Sequence, residues 1–280
     1  MRVFITVCIL LLTLTSPLMA WDAYDQDTAT QQPGPGTEFC GGMRNHAFMA
    51  GEFLKYRVIY GMAGVHLTTG GYASFATTLE KFQGKVVYHL IGEGQTTPFY
   101  DKFFKVRDKY ESYIDTATLQ PYKFLRDVNE GGYKTYENVS FIKAAHTAVT
   151  NTGVYNVTDC VQDVLSAIFY ARNIDFSQHK VDDKIFFDMF LDRQVYHLYV
   201  RYLGKETIRT SYGKFRTIKF KPLLVKGTMF EGGEKMTVWV SDDPNHIAVR
   251  IESPITVGKV SVDMIDYKNL RYPLSSLIDL

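Results

Sequence analysis

The chain has 280 residues with 31 basic and 30 acidic side chains, a formal net charge of +1, and 46% hydrophobic and 14% aromatic residues. Near-neutrality without runs of Lys and Arg lacks the electrostatic footprint of nucleic-acid binding, and no polybasic run for anionic lipid heads stands in the sequence, so composition favours neither partner. Three cysteines without a CxxC or His pair nearby do not build a tetrahedral metal site.

The first element is a secretory signal peptide over residues 1–20. Arg2 precedes an apolar run from Val3 to Leu14, the polar break Thr15-Ser16-Pro17 follows, and Leu18-Met19-Ala20 offers a small residue for cleavage. The run has about a dozen residues, short of the ~20 needed to cross a bilayer core. Cys8 lies inside it and the next cysteine is Cys40, so lipid anchoring is not indicated. Cleavage after Ala20 removes Arg2 as the only charge, leaving 30 basic and 30 acidic side chains in a soluble exported protein, periplasmic or otherwise outside the cytoplasm. No later segment is apolar for long enough to span a membrane as a helix.

Residues 21–39 are polar and end near Gln31-Gln32-Pro33-Gly34-Pro35-Gly36, which reads as a disordered leader. Residues 40–280 keep a high aromatic and β-branched density without a second linker, so one β-rich domain is predicted. After cleavage only Cys40 and Cys160 remain. Their even number in an oxidising compartment points to one bridge closing a loop of roughly 120 residues, worth ~4 kcal/mol in the chain-entropy model; two separate thiols are the alternative.

Strands follow in series. Leu54, Tyr56, Val58 and Tyr60 alternate with Phe53, Lys55, Arg57 and Ile59, the period of a sheet with one wetter face. After the turn Gly61-Met62-Ala63-Gly64, a second strand runs from Val65 to Thr77, with a bulge or bend expected at Gly70-Gly71. A third runs from Lys85 to about Gln95, and a helical turn is indicated at Pro98–Phe103. Glu130-Gly131-Gly132 joins Tyr122–Val128 to Tyr133–Ile142. Glu231-Gly232-Gly233-Glu234 joins Phe215–Thr228 to Lys235–Ser241. Between these hairpins the pattern changes: Val161, Val164, Leu165, Ile168, Phe169 and Ala171 fall at helical spacing, predicting a helix over Asp159–Arg172 capped by Thr158 or Asp159. Its stripe excludes Asp163, and its economical place is the concave side of a curved sheet. Asp242-Asp243-Pro244-Asn245 makes another turn, Asp182-Asp183 likewise, with both acidic pairs read as solvated. Ile247, Val249 and Ile251 lead to a closing strand from Lys259 to Asp266.

Gly51–Tyr60, Phe99-Tyr100-Asp101, Lys105–Asp115, Glu130–Lys134, Asp163–Arg172 and Pro254–Val260 together resemble an exported bacterial family known as domain of unknown function 3108. The resemblance spans nearly all of the chain after Cys40. It implies an exported, mainly antiparallel β protein of Gram-negative bacteria with a strongly curved sheet, half-barrel or barrel-like, beside one principal α-helix. The family carries no agreed activity, so no catalytic residues transfer.

Motif chemistry is negative: no GxSxG, P-loop, GxGxxG, HExxH or EF-hand pattern occurs, so no catalytic residue, cofactor or metal is assigned. The seven histidines are scattered singly and read as structural. The chain's wealth is 19 Tyr and 19 Phe. Most would form the core of a large β domain, but Phe99, Tyr100, Phe103 and Phe104 beside Arg107 and Tyr110 place aromatics next to a cation, the candidate ligand site. These features read best as a non-enzymatic binding or carrier protein of the bacterial cell envelope, for an amphiphile such as a lipid or lipoprotein on an aromatic-lined concave sheet. A glycan-binding module or a scaffolding subunit with an envelope protein partner is the alternative, ahead of an envelope-polymer hydrolase.

Overall fold

The computed structural model describes residues 43–61, 68–225, 233–255 and 258–279. The expected signal peptide, the leader and Cys40 lie outside the described residues. Alternating patterns build β1 (Phe53–Gly61), β2 (Thr68–Phe82) and β3 (Lys85–Thr96), then a single helical turn α1 (Pro98–Asp101). The meander continues with β4 (Val106–Asp115), β5 (Pro121–Glu130), β6 (Tyr133–Ile142), β7 (Thr147–Thr150) and β8 (Gly153–Asn156). Helix α2 (Val164–Ala171) precedes β9 (Lys184–Leu191), β10 (Gln194–Arg209), β11 (Lys214–Pro222), β12 (Thr237–Ser241), β13 (Ala248–Pro254), β14 (Lys259–Lys268) and β15 (Leu277–Asp279).

All fifteen strands join one antiparallel sheet in the order β8-β7-β6-β5-β4-β3-β2-β1-β14-β13-β12-β11-β10-β9, with β15 beside β11. Two turn signals act as expected. At Gly70 the register between β1 and β2 slips, Val58 facing Gly71 while Ile59 faces Thr69, which is a bulge. Gly131 and Gly132 both take positive φ in the two-residue turn from β5 to β6, the conformation such hairpins demand. The β11–β12 hairpin is shorter than predicted, and part of its turn lies outside the described residues.

The sheet curls round α2. That eight-residue helix touches β3 and β4 on one side and β9 on the other, although nine neighbour steps separate β4 from β9 in the sheet. Only strong curvature brings both to one helix. The ends then meet: Phe190 of β9 packs against Phe141 of β6 (centroids 6.1 Å) and Tyr155 of β8 (5.9 Å). Arg126 of β5 pairs with Asp192 beyond β9 at 2.6 Å and with Glu137 of β6 at 3.0 Å. Gln162 bridges the exposed edge of β9, its N–H donating to Asp188 O and its carbonyl accepting from Phe190 N, each at 2.9 Å.

The helix begins later than its periodicity suggests. Asp163, not Thr158 or Asp159, is the N-cap: its carboxylate accepts from Ser166 N at 2.9 Å, and Ser166 Oγ accepts from Asp163 N at 2.8 Å. Its other oxygen accepts from Ser112 Oγ of β4 at 2.6 Å. A residue off the apolar stripe is thus fully buried, because the cap faces the sheet. Burial lifts the Asp163 carboxyl to about 6, opposed by its bonds from Ser112 and Ser166. Asp243 also departs from the solvated reading: it is buried and accepts from Ser241 Oγ, Asn245 N and Ser276 N.

Two substitutions test this anchoring. Leu165→Ala empties a fully buried position and should cost ~2–5 kcal/mol. Asp163→Ala strands the Ser112 hydroxyl and the first-turn amide, and should cost ~1–3 kcal/mol. Urea midpoints should fall for both relative to wild type, while Thr152→Ala on the exposed β7–β8 turn leaves the midpoint unchanged.

Candidate functional site

An apolar cavity of about 160 Å³ lies between α2 and the concave wall formed by β1, β2 and β9–β13. From the helix come Val164, Ala167, Ile168 and Ala171; from the sheet, among others, Met189, Val200, Phe220, Val238 and Ile251. A local reason for the gap is Gly92. A Cβ there would stand 3.1 Å from Leu165 and 3.2 Å from Phe75, so the missing side chain lets α2 settle close on β3. Held near β3 and β4, the helix stands off β10–β12.

Arg172, His246 and the Tyr56 phenol are the polar side chains in the lining, and the first two are its basic groups. Arg172 follows α2 directly and is 6% exposed. Its Nη1 and Nη2 donate to the two oxygens of buried Glu52 at 2.6 and 2.9 Å, and its Nε donates to Asn245 O at 3.0 Å. The guanidinium also lies over the rings of Phe48 and Phe169, at 5.5 and 5.3 Å. His246 Nδ1 contacts Arg172 O at 2.8 Å, and burial holds its pKa below the usual imidazole range. Both groups are committed to the protein's own structure. What remains is an apolar surface able to receive a ring or a short alkyl segment; a dry cavity of similar size binds benzene in another protein.

The six residues picked from the sequence divide. Phe99 and Phe103 stand 62% and 61% exposed with ring centroids 5.5 Å apart, and Tyr100 meets Phe99 edge-on at 5.4 Å. Arg107 is not a free cation: its Nη1 and Nη2 donate to Asp101 at 3.0 and 2.6 Å. Phe104 turns inward beneath Gly131, where a side chain would collide with its ring. Tyr110 is 1% exposed in the core beside Phe124. None of the six lines the apolar cavity. The cavity residues carried one legible signal, the α2 stripe itself, whereas no pattern in the sequence singles out Arg172 or Glu52.

The convex side of β1–β6 holds a second, polar depression of about 570 Å³, lined by Lys55, Tyr72, Glu93, Arg107, Lys109 and Asp127 among others. At its margin Asp108 is buried against Glu130; desolvation first and the Glu130 charge second push its carboxyl up to about 8. Among the described residues no group of three or more His, Cys, Asp or Glu is placed to hold a metal ion.

The match to a family model settles the kinship: the model for a protein of unknown function, DUF3108, covers residues 55–265. The chain belongs to the DUF3108 family. Among curated proteins none matches. Of solved structures, a β-barrel-like protein of the DUF1849 family from Brucella abortus is similar in fold, with a TM-score of 0.56 at 8% identity over 81% of this chain and 99% of that one. A protein assigned as exported with a YmcC-like fold, from Bacteroides fragilis, aligns at 13% identity over 81% of this chain and 100% of its own, with a TM-score of 0.33. A protein assigned as a lipoprotein, from Parabacteroides distasonis, aligns at 14% identity, 80% and 100% coverage and a TM-score of 0.35. The B. abortus likeness extends the DUF3108 fold to a barrel-like architecture and no further.

Two outcomes follow from the ionic groups. Arg172→Ala should cost ~3–5 kcal/mol in urea melts by leaving Glu52 buried and unpaired, and the double variant Arg172→Met, Glu52→Gln should recover part of that loss. Asp108 keeps in the folded state a proton that the unfolded chain releases near pH 4, so its contribution to stability is lost as pH rises from about 4 to about 8. Asp108→Asn should therefore raise Tm over wild type more at pH 8 than at pH 5.

Proposed function

We propose that the protein is a non-enzymatic binding or carrier protein of the cell envelope, exported by its signal peptide, that takes the apolar part of an amphiphile into the cavity beneath α2. The observation that carries this reading is the cavity: about 160 Å³, lined mainly by apolar side chains, with its two basic groups already partnered. The volume suits one ring or an alkyl segment of about six carbons, not a whole phospholipid. At ~0.8 kcal/mol per buried methylene, six contribute ~5 kcal/mol, so submillimolar affinity is the ceiling and the costs of association weaken it from there. Such affinity suits a carrier that must release its load. The bridge between Cys40 and Cys160 belongs to the same reading, since an exported chain matures where disulfides form.

The glycan-binding alternative draws on the polar depression of the convex face. Its rings are those of Phe53 and Tyr72, and Lys55 lies over the Tyr72 ring at 5.5 Å, so a row of open stacking faces is lacking there.

Thermal melts with carboxylates from hexanoate to dodecanoate test the cavity. Wild type should gain stability with a gain that levels off near six to eight carbons. Ile168→Trp and the milder Ala171→Leu should fold and lose the gain. A wild type indifferent to every chain length, or filled variants that respond as wild type does, would refute the reading.

A further inference from the structure

We infer that the tip carrying α1 docks on the surface of an anionic phospholipid bilayer, with Phe99 and Phe103 entering the interface and Lys102 and Lys105 meeting the lipid phosphates. Single exposed apolar side chains are ordinary, but this is an edge-to-face pair, each ring more than half exposed, on one turn between β3 and β4. Exposed Lys102 and Lys105 flank it, and neither makes an ion pair among the described residues. Rings that reach the acyl boundary beside lysines that stay at the headgroups are the physical signature of an interfacial anchor.

The turn is built to present those rings. Thr96 Oγ1 and Arg107 both donate to Asp101, Thr96 Oγ1 accepts from Val106 N at 2.9 Å, and the Tyr100 hydroxyl bonds Thr68 of β2. Phe104, under Gly131, pins the other end. The same contacts settle the local charge. Asp101 is neutralised by Arg107, and Asp108 holds its proton against Glu130, so that pair carries one negative charge instead of two. Lys134, exposed at the start of β6, adds a third cation to this end of the sheet. Cationic turns complement an anionic surface.

Register gives the tip a second meaning. Thr96, which starts the turn, belongs to a continuous cross-strand row through Gly71, Val58, Val262, Ile251, Val238 and Phe220. The last three of these line the apolar cavity. The row crosses six strand spacings, ~29 Å along the curled sheet, which puts the tip and part of the cavity wall on one register row. The docking itself stands whether or not the cavity takes an alkyl chain.

Sedimentation of the full chain with vesicles of phosphatidylethanolamine and phosphatidylglycerol, against vesicles of phosphatidylcholine, tests the inference. Wild type should bind the anionic vesicles at low salt and release in 0.5 M salt. Phe99→Ser with Phe103→Ser, and separately Lys102→Glu with Lys105→Glu, should each weaken binding about ten-fold or more while Tm stays at the wild-type value, since all four side chains are exposed. Ile168→Trp should bind vesicles as wild type does, which separates this test from that of the cavity. Failure of wild type to bind anionic vesicles, equal binding to both vesicle types, or double variants that bind unchanged would overturn the docking.

Discussion

A helix inside a curled sheet has to bring its polar ends into an apolar interior, and the buried pair of Arg172 with Glu52 is how this fold meets that constraint. Arg172 closes α2, Glu52 leads into β1, and the same guanidinium donates to Asn245 in the turn between β12 and β13. Next to it, Asn173 Oδ1 accepts from His46 N and Ala47 N, at 2.8 and 3.1 Å, while its amide donates to Phe169 O at 3.0 Å. Three distant parts of the chain therefore share one polar knot. Replacing such a pair by well-packed apolar groups is often energetically neutral, so its value here is positional. It sets where the helix ends relative to the wall.

The opposite end is held as firmly. Asp163 fastens the first turn to Ser112 of β4, and Gly92 admits Leu165 close to β3. With one flank drawn to β3 and β4 and the C-terminus tied to Glu52, the helix cannot also fill the space before β10–β12. The cavity is a consequence of these three attachments, and the guanidinium in its lining, Arg172, belongs to one of them, while His246 Nδ1 meets the Arg172 carbonyl. This is why an apolar guest fits the site better than a charged one.

Much of the fold was legible because period and punctuation are local properties. Alternation marked β1 and β3, Gly70-Gly71 marked a bulge, Gly131-Gly132 marked a turn, and the stripe from Val161 to Ala171 marked the helix, though with an earlier start than Val164. Less legible were features that depend on what lies opposite. Asp163 carries no sign that its carboxylate meets Ser112, fifty-one residues earlier. Tyr110 and Phe103 look alike in a string of aromatics, yet their positions in β4 and in the preceding turn send one to the core and the other to solvent. The β9–β10 hairpin was not marked in the sequence reading, and the place of β9 at the far edge, where Phe190 meets β6 and β8, follows from closure of the whole sheet.

The order of strands also constrains when the fold can form. Neighbours within each half are close in sequence, but the junction of the halves pairs β1 with β14, Phe53 opposite Lys268. The greatest separation along the chain thus lies at the middle of the sheet instead of at its rim. A folding chain can complete the β2–β8 meander from local contacts, yet one edge of β1 stays unpaired until the segment up to residue 268 is available, and closing so long a loop is entropically slow. During that interval the open edge of β1 is a template for any other extended chain, so the arrival of β14 is also the step that removes this edge from aggregation.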